Sequence, residues 1–350
     1  MSTVIDQRTD KTSALARLAH RARKMNELVV LIVVIVLFTI MSFASPYFLT
    51  WENMSTLAIG LAADGIIAVG MTVALASGGF DLSVGAVMGL TAIATAYFAA
   101  QGTPMWIAVI GGFFAAAVVG SLNGWLISRV RINPFITTLG TMTITRGLVY
   151  VISDGSSIPM YEPPAFLTWL GKGDVLGIPS IFVIFIIVAV VGDFLLRRSA
   201  AARQVYYVGS NAKAARLSGI NVARVEFTVY VLVALLAAVA GILSLARFGT
   251  ATPAMGTGAE MRVISAAVIG GASIAGGMGT VLGTVLGVIL LNVIQNALVL
   301  LNVSVNWQNL IAGSILIVAV AIDTLSRRPR SARGRGRFSR MLASVRTRRD

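Results

Sequence analysis

Long apolar stretches recur along most of this 350-residue chain and constrain its fold more than any other feature. A helix needs roughly 20 predominantly apolar residues to cross the ~30 Å hydrocarbon core of a bilayer. Ten stretches approach that length, of which the third and the eighth are the weakest. Their approximate bounds are 28–46, 57–77, 84–101, 105–127, 134–152, 178–196, 227–248, 260–276, 280–301 and 307–325. The sequence therefore predicts an all-α membrane protein with about ten transmembrane helices.

These stretches form one predicted transmembrane domain over residues 28–325, between a basic N-terminal arm (1–27) and a basic C-terminal tail (326–350). Only 12% of the residues are charged, against about a quarter in soluble domains. No small-residue cleavage site follows the first apolar stretch, so we expect it to be retained as a span.

Lys and Arg side chains predict the orientation of the spans. With ten spans, four basic segments lie on the same side of the membrane. Together they hold 24 of the 28 cations: 1–27, 128–133, 197–226 and the residues after Ile322. Because cations accumulate in cytoplasmic loops, both termini are predicted to be cytoplasmic. The same pattern accounts for the net charge of +14 without nucleic acid as a partner.

The residue types in this chain exclude most kinds of catalytic and metal site. The chain has no Cys and a single His, His20, so thiolate sites, His-centred triads and His-rich metal sites are not expected. No phosphate-binding loop motif of nucleotide-binding proteins occurs. We therefore expect no enzyme activity, metal or bound cofactor in this chain, and any ATP used for transport must bind to another protein.

The 197–226 segment is the longest predicted cytoplasmic loop. Asn211 can cap a short helix over Ala212–Leu217, and Gly219 can end it. Such a segment is either a solvated linker or a docking helix for a cytoplasmic partner. We expect the helix to display Ala212, Ala215 and Leu217 beside Lys213 and Arg216.

Two glycine-rich turns, at 78–83 and 276–279, lie between predicted spans. Their surroundings, ASGGFDLSVGAVMGL and IAGGMGTVLGTVLGV, form a possible internal repeat, as is common in transporters. Asp81 lies at the start of a helix, where a carboxylate is favourable, and Ser83 is a candidate cap. Asp81 is either a helix cap or part of the ATPase interface or of a gate.

Polar side chains inside the spans are candidates for a substrate pathway. Thr137 and Thr141 share one helical face with Thr145, and Asn292, Gln295 and Asn296 form a second stripe. The alternative for both is hydrogen bonding between helices. Arg146 and Asp64 are charges within spans and could pair with each other.

Four stretches carry a resemblance to ribose/xylose-type ABC importer permeases, the monosaccharide branch of the binding-protein-dependent permeases. They are SGGFDLSVGAVMGL (77–90), NPFITTLGTMTITRGLVYVISDGSSI (133–158), RQVYYVGSNAKAARLSGINVARV (203–225) and TPAMGTGAEMRVISAAVIGGASIAGGMGTVLGTVLGVILL (252–291). The likeness covers roughly residues 50–323.

The resemblance implies a type II importer-like permease fold, a homodimer in the bacterial cytoplasmic membrane and a monosaccharide or related polyol as substrate. It also implies a partner ATPase that holds ATP and Mg²⁺, and an extracytoplasmic sugar-binding protein that meets loops 153–177 and 250–258. The segment 211–220 would be the coupling helix to the ATPase, with Asn211, Ala212, Ala215, Arg216, Gly219 and Ile220 as its site residues.

Three alternatives remain open at this point. One is a permease for branched-chain amino acids or nucleosides. Another is an ion-coupled secondary transporter, for which Asp64 and Asp193 are the candidate carboxylates. A membrane enzyme is the weakest, because no carboxylates, His or Cys cluster in the predicted topology. Anionic lipids are possible ligands of the basic tail.

Overall fold

The computed structural model describes residues 27–160 and 163–304, and seven further residues between Trp307 and Ala321. The predicted arm 1–27 and tail 326–350, and with them the side on which the termini lie, fall almost entirely outside the described residues. The described part is mostly helical, as predicted.

The helices of the described part follow one another with short connections. They are α1 (Glu27–Ala44), α2 (Trp51–Ala76), α3 (Val84–Ala100), α4 (Met105–Trp125), α5 (Pro134–Ser153), α6 (Ala165–Lys172), α7 (Ser180–Arg198), α8 (Ala200–Ser210), α9 (Ala212–Leu217), α10 (Val222–Phe248), α11 (Ala259–Ile269) and α12 (Val281–Leu300). A π-helical turn, Leu126–Val130, continues α4. Four short strands form two antiparallel pairs: β1 (Ile158–Pro159) with the distant β4 (Thr250–Ala251), and β2 (Asp174–Val175) with β3 (Ile178–Pro179) in a hairpin.

Seven of these helices are long and apolar enough to cross a membrane: α1, α2, α4 with its π turn, α5, α7, α10 and α12. The predicted third span is a 17-residue apolar helix, α3. The described residues of the predicted tenth span are helical, but most of that span lies outside the described part. The predicted count of ten therefore stays a prediction.

The predicted eighth span, 260–276, differs most from its expectation. Its helix, α11, ends at Ile269 after 11 residues, a length of about 16 Å, or about half of the hydrocarbon core. The chain nevertheless traverses the bundle here, because the loop before α11 runs inward from the β1–β4 ladder and α11 completes the crossing. A helix broken in this way is stable only where protein surrounds its loop.

The centre of the bundle is formed by α2, α3 and α10, which are buried on nearly all sides. Small residues let their backbones approach closely, as is usual between helices in lipid. A methyl group on Gly120 of α4, for example, would lie 2.9 Å from the carbonyl oxygen of Tyr230 in α10. The outer helices α1, α4, α5 and α7 expose most of their apolar side chains, as lipid-facing helices do.

The predicted cytoplasmic segments gather at one end of the bundle, which we call the basic end. The 128–133 loop joins the start of α10 there through the Arg131–Glu226 salt bridge of 3.0 Å. The 276–279 turn joins the end of α2 through a hydrogen bond from the Gly277 N–H to the Ala76 carbonyl (2.9 Å). The β1–β4 ladder and α6 lie at the opposite end, so the described loops segregate as the sequence predicts.

Candidate functional site

The helix α9 has the bounds that the sequence predicts. Asn211, the single residue between α8 and α9, accepts a hydrogen bond from the Ala214 N–H through its side-chain oxygen (2.9 Å). An Asn at this position satisfies one of the N–H groups that the first turn of a helix leaves unpaired. The predicted N-cap is therefore confirmed.

The C-terminal end of α9 is a Schellman motif. The Gly219 N–H donates to the Arg216 carbonyl, and the Ile220 N–H donates to the Ala215 carbonyl, both at 3.1 Å. Gly219 has φ of 83°, a conformation that costs any residue with a side chain about 1–2 kcal/mol. The predicted stop at Gly219 is confirmed, and the motif fixes the orientation of α9 relative to α10.

One face of α9 packs inward, which corrects the expectation for Ala215. That residue is only 5% exposed and lies against Val208 of α8 and Val222 of α10, with Ala212 and Ile220 at the edge of the same cluster. Its small side chain therefore serves the packing of α9 against its own protein. The face open to a partner consists of Lys213, Ala214, Arg216 and Leu217.

Leu217 is the most conspicuous side chain of this outward face. It is 85% exposed at the last position of α9, at the basic end and away from the apolar outer surface of the bundle. A single large aliphatic side chain presented by a capped helix is suited to fill a pocket in a partner. The sequence pattern includes Leu217 among the displayed residues, but only the structure separates it from the buried Ala215.

Replacing Asn211 by Ala should loosen α9 selectively. The lost cap bond is worth about 1 kcal/mol, which corresponds to a roughly fivefold larger population of the open helix. Hydrogen exchange of the α9 amides in the purified protein measures this directly. The control is Asn211→Ser, which keeps a capping oxygen and should leave the exchange of α9 nearly unchanged. Equal exchange in Asn211→Ala and the unmodified protein would show that the cap contributes nothing.

The first glycine-rich turn contains a buried polar cluster. Asp81 accepts hydrogen bonds from the Ser83 N–H (2.7 Å) and the Ser83 hydroxyl (2.6 Å), and the Asn123 amide of α4 donates to the same pair of side chains. Burial raises the pKa of Asp81, and these hydrogen bonds oppose that rise. Asp81 rather than Ser83 thus organises the start of α3, because Ser83 makes no side-chain cap. A gating role for either residue stays a prediction.

The prediction that Asp64 could pair with Arg146 is wrong. Asp64 instead binds Arg262 of α11 through two bonds, Nε to Oδ2 at 2.7 Å and Nη2 to Oδ1 at 3.0 Å. Arg146 donates from Nη1 to the backbone carbonyls of Met255 (2.8 Å) and Pro253 (3.3 Å). Each intramembrane cation therefore has a partner, as the cost of an isolated charge in lipid requires.

Those contacts also correct the position of loop 250–258, which we expected at the outer surface. Met255 is buried, and the Gly256 carbonyl touches Gly85 near the start of α3. The loop therefore packs into the bundle between α3 and α5, held by Arg146. Arg262, in the first turn of the α11 helix that follows the loop, is bonded to Asp64 of α2.

The two predicted pathway stripes lie apart within one subunit. Thr137 and Thr141 are buried on α5, which packs mainly on α3 and α4. Asn292, Gln295 and Asn296 lie on α12, which packs on α2, α7 and α11. Asn296 exchanges hydrogen bonds with Asn53 of α2 (3.1 and 2.7 Å), so at least this residue joins helices. Substrate contact by either stripe stays a prediction.

A cavity of about 1080 Å³ opens at the basic end between α7, α8 and α10, beside Gly219 and Ile220. Its walls are largely Val, Leu and Ile side chains, and none of the predicted pathway residues lines it. Polar side chains such as Gln204, Asn221 and Arg224 also line it. The cavity therefore lies apart from both predicted pathway stripes.

Comparison with known proteins gives consistent results. Residues 53–320 match the family described as the permease component of branched-chain amino acid transport systems. The chain is 36% identical to the L-arabinose transport system permease protein of Escherichia coli K12 over 278 residues, which cover 79% of this chain and 84% of that protein. It is also 36% identical to the ribose import permease protein of Bacillus subtilis 168 over 284 residues, 81% of this chain and 88% of that protein. No solved structure matches the chain significantly.

Proposed function

Because this chain belongs to the family of permease components of branched-chain amino acid transport systems, we propose that it is the membrane-spanning subunit of an ATP-driven importer for a monosaccharide. The similar proteins named as permeases for L-arabinose and ribose support a pentose, a hexose or a related polyol as the substrate. The subunit lies in the bacterial cytoplasmic membrane and is not itself catalytic.

One observation carries the proposal beyond family membership: α9 is a capped helix displayed at the basic end of the bundle. Its outward face combines Lys213, Arg216 and the exposed Leu217. The chain has no nucleotide-binding motif of its own. When the ATPase is a separate protein, an importer needs an exposed helix of fixed orientation through which movement of the ATPase reaches the spans.

The remaining partners follow from this assignment. A cytoplasmic ATPase binds ATP and Mg²⁺ and docks on α9. A binding protein delivers the sugar at the opposite end, where β1–β4 and α6 lie. A second copy of the permease completes the pathway.

The structure disfavours ion-coupled transport by this chain alone. Coupling by protons or sodium requires a membrane carboxylate that is free to bind the ion. Both candidate carboxylates have an arginine partner: Asp64 contacts Arg262, and Asp193 contacts Arg197, each at 2.7 Å. A carboxylate already neutralised by a guanidinium is a poor ion site.

Uptake in proteoliposomes tests the function. The permease, its ATPase and its binding protein should accumulate labelled arabinose or ribose when ATP is supplied, and accumulation should stop with a non-hydrolysable ATP analogue. Ion-gradient-driven uptake by the permease alone would contradict the proposal. ATP-driven uptake of leucine instead of a sugar would contradict the proposed substrate class but would agree with the proposed ATP-driven mechanism.

A further inference from the structure

Three glycine-containing segments meet at the basic end, directly beside α9. They are the turn after α2, the turn before α12, and the last residues of α8. A methyl group on Gly209 of α8 would lie 2.7 Å from the Gly277 nitrogen and 2.9 Å from the Ser77 carbonyl carbon. One on Gly276 would lie 2.6 Å from the Gly209 oxygen and 2.8 Å from the Gly78 Cα. We call this contact the glycine junction: Gly78, Gly209, Gly276 and Gly277.

Hydrogen bonds tie the same three segments together. The Gly277 N–H donates to the Ala76 carbonyl at the end of α2 (2.9 Å). The Tyr206 hydroxyl of α8 donates to the Gly279 carbonyl just before α12 (2.9 Å). The two turns are thus bonded to each other, and α8 is bonded to the second turn and packed on both.

The junction joins the two glycine-rich turns, at 78–83 and 276–279. Each turn leads, within a few residues, into a helix: the first into α3 at Val84 and the second into α12 at Val281. The first turn also ends α2, at the core of the bundle. Displacement of the junction therefore acts on both halves of the chain at once.

The glycine junction is also connected to α9 through a very short linker. Gly209 and Ser210 end α8, and Asn211 alone separates them from Ala212. The buried contacts of Ala215 with Val208 and Val222 hold α9 against α8 and α10. At Gly209 the backbone of α8 is in direct contact with both turns, so displacement of α8 is passed to them.

We propose that Gly209 is the positioning residue through which movement of α9 reaches the helices that adjoin both turns, with α8 and the two turns moving as one body. This inference rests on the proposed function, since it presupposes that an ATPase moves α9. The absence of a side chain at Gly209 allows backbone contact to both turns, and any side chain would separate α8 from them.

The first test compares Gly209→Ala with Gly140→Ala. Gly140 lies in α5, and a methyl group there meets no atom within 4 Å. In proteoliposomes containing the ATPase and the binding protein, we expect Gly209→Ala to retain ATP hydrolysis. The sugar imported per ATP hydrolysed should fall about tenfold, in the range of typical coupling energies. Gly140→Ala should match the unmodified permease.

The result separates this inference from the proposed function. If the unmodified permease shows no ATP-driven uptake, the proposed function fails. If the unmodified permease transports sugar and Gly209→Ala transports it with the same yield per ATP, only the role of Gly209 is overturned.

A cross-link provides a second test that does not depend on how Gly209→Ala folds. The chain has no cysteine, so Ser210→Cys combined with Gly277→Cys introduces a single thiol pair. A Cβ atom on Gly277 would lie 3.1 Å from the Ser210 Cβ, a few tenths of an ångström inside the usual disulfide range. The oxidised form should transport as well as the reduced form, because the two segments move together. Oxidation that stops transport reversibly would overturn the inference.

Discussion

Replacing Leu217 by Glu is expected to abolish ATP-driven uptake by disrupting the docking of the ATPase, while the permease itself stays folded. Leu217 is 85% exposed, so its substitution should change the stability of the isolated permease by less than about 0.5 kcal/mol. In the complex, the loss of its apolar burial costs about 1.5–3 kcal/mol, and burial of an unpaired carboxylate adds more. The affinity for the ATPase should therefore fall by roughly a hundredfold or more.

The matched control for this variant is Leu176→Glu. Leu176 is 98% exposed in the β2–β3 turn at the opposite end of the bundle, so the same substitution adds the same charge where no ATPase docks. Affinity for the ATPase, measured with purified permease in nanodiscs, should be unchanged in Leu176→Glu and lost in Leu217→Glu. If Leu217→Glu binds the ATPase normally and supports uptake, α9 is a linker.

The local structure of α9 was predictable because its signals lie within ten residues. Asn211 provides a cap, Gly219 provides a left-handed stop, and the alanines between them favour a helix. The structure has a helix with these bounds. The direction in which α9 faces was not predictable, because Ala212, Ala214 and Ala215 are alike in sequence. Only the contacts of Ala215 with Val208 and Val222 distinguish it.

The interior of the bundle was predicted less well for a different reason. Asp64 and Arg262 are 198 positions apart, and hydropathy carries no information about which of two arginines a distant carboxylate meets. The broken eighth span was missed because residues 270–276 are small and apolar and so extend the hydrophobic stretch past the end of α11. The glycine junction likewise depends on contacts between segments up to about 200 residues apart in sequence, and only its turns could be recognised as glycine-rich.

The Asp64–Arg262 pair should be the largest single contribution of a polar contact to the stability of this permease. It joins α2, at the centre of the bundle, to the broken helix α11 through a two-bond carboxylate–guanidinium contact of 2.7 and 3.0 Å. The side chains around it include Val288, Leu291 and Asn292 of α12. Removing one partner leaves the other charge buried among them, which costs about 3–5 kcal/mol in comparable buried pairs.

We therefore expect Asp64→Ala and Arg262→Ala each to lower the free energy of unfolding, and the double variant to be less destabilised than the sum of the two. Asp64→Asn with Arg262→Gln keeps the shape of the pair without its charges and should be close to the unmodified protein, because uncharged groups are less costly to bury. Thermal unfolding in detergent, monitored by circular dichroism, measures all four. Additive effects in the double Ala variant would mean that the two side chains do not interact, and α11 would then be held in place by its packing on α12 and α2.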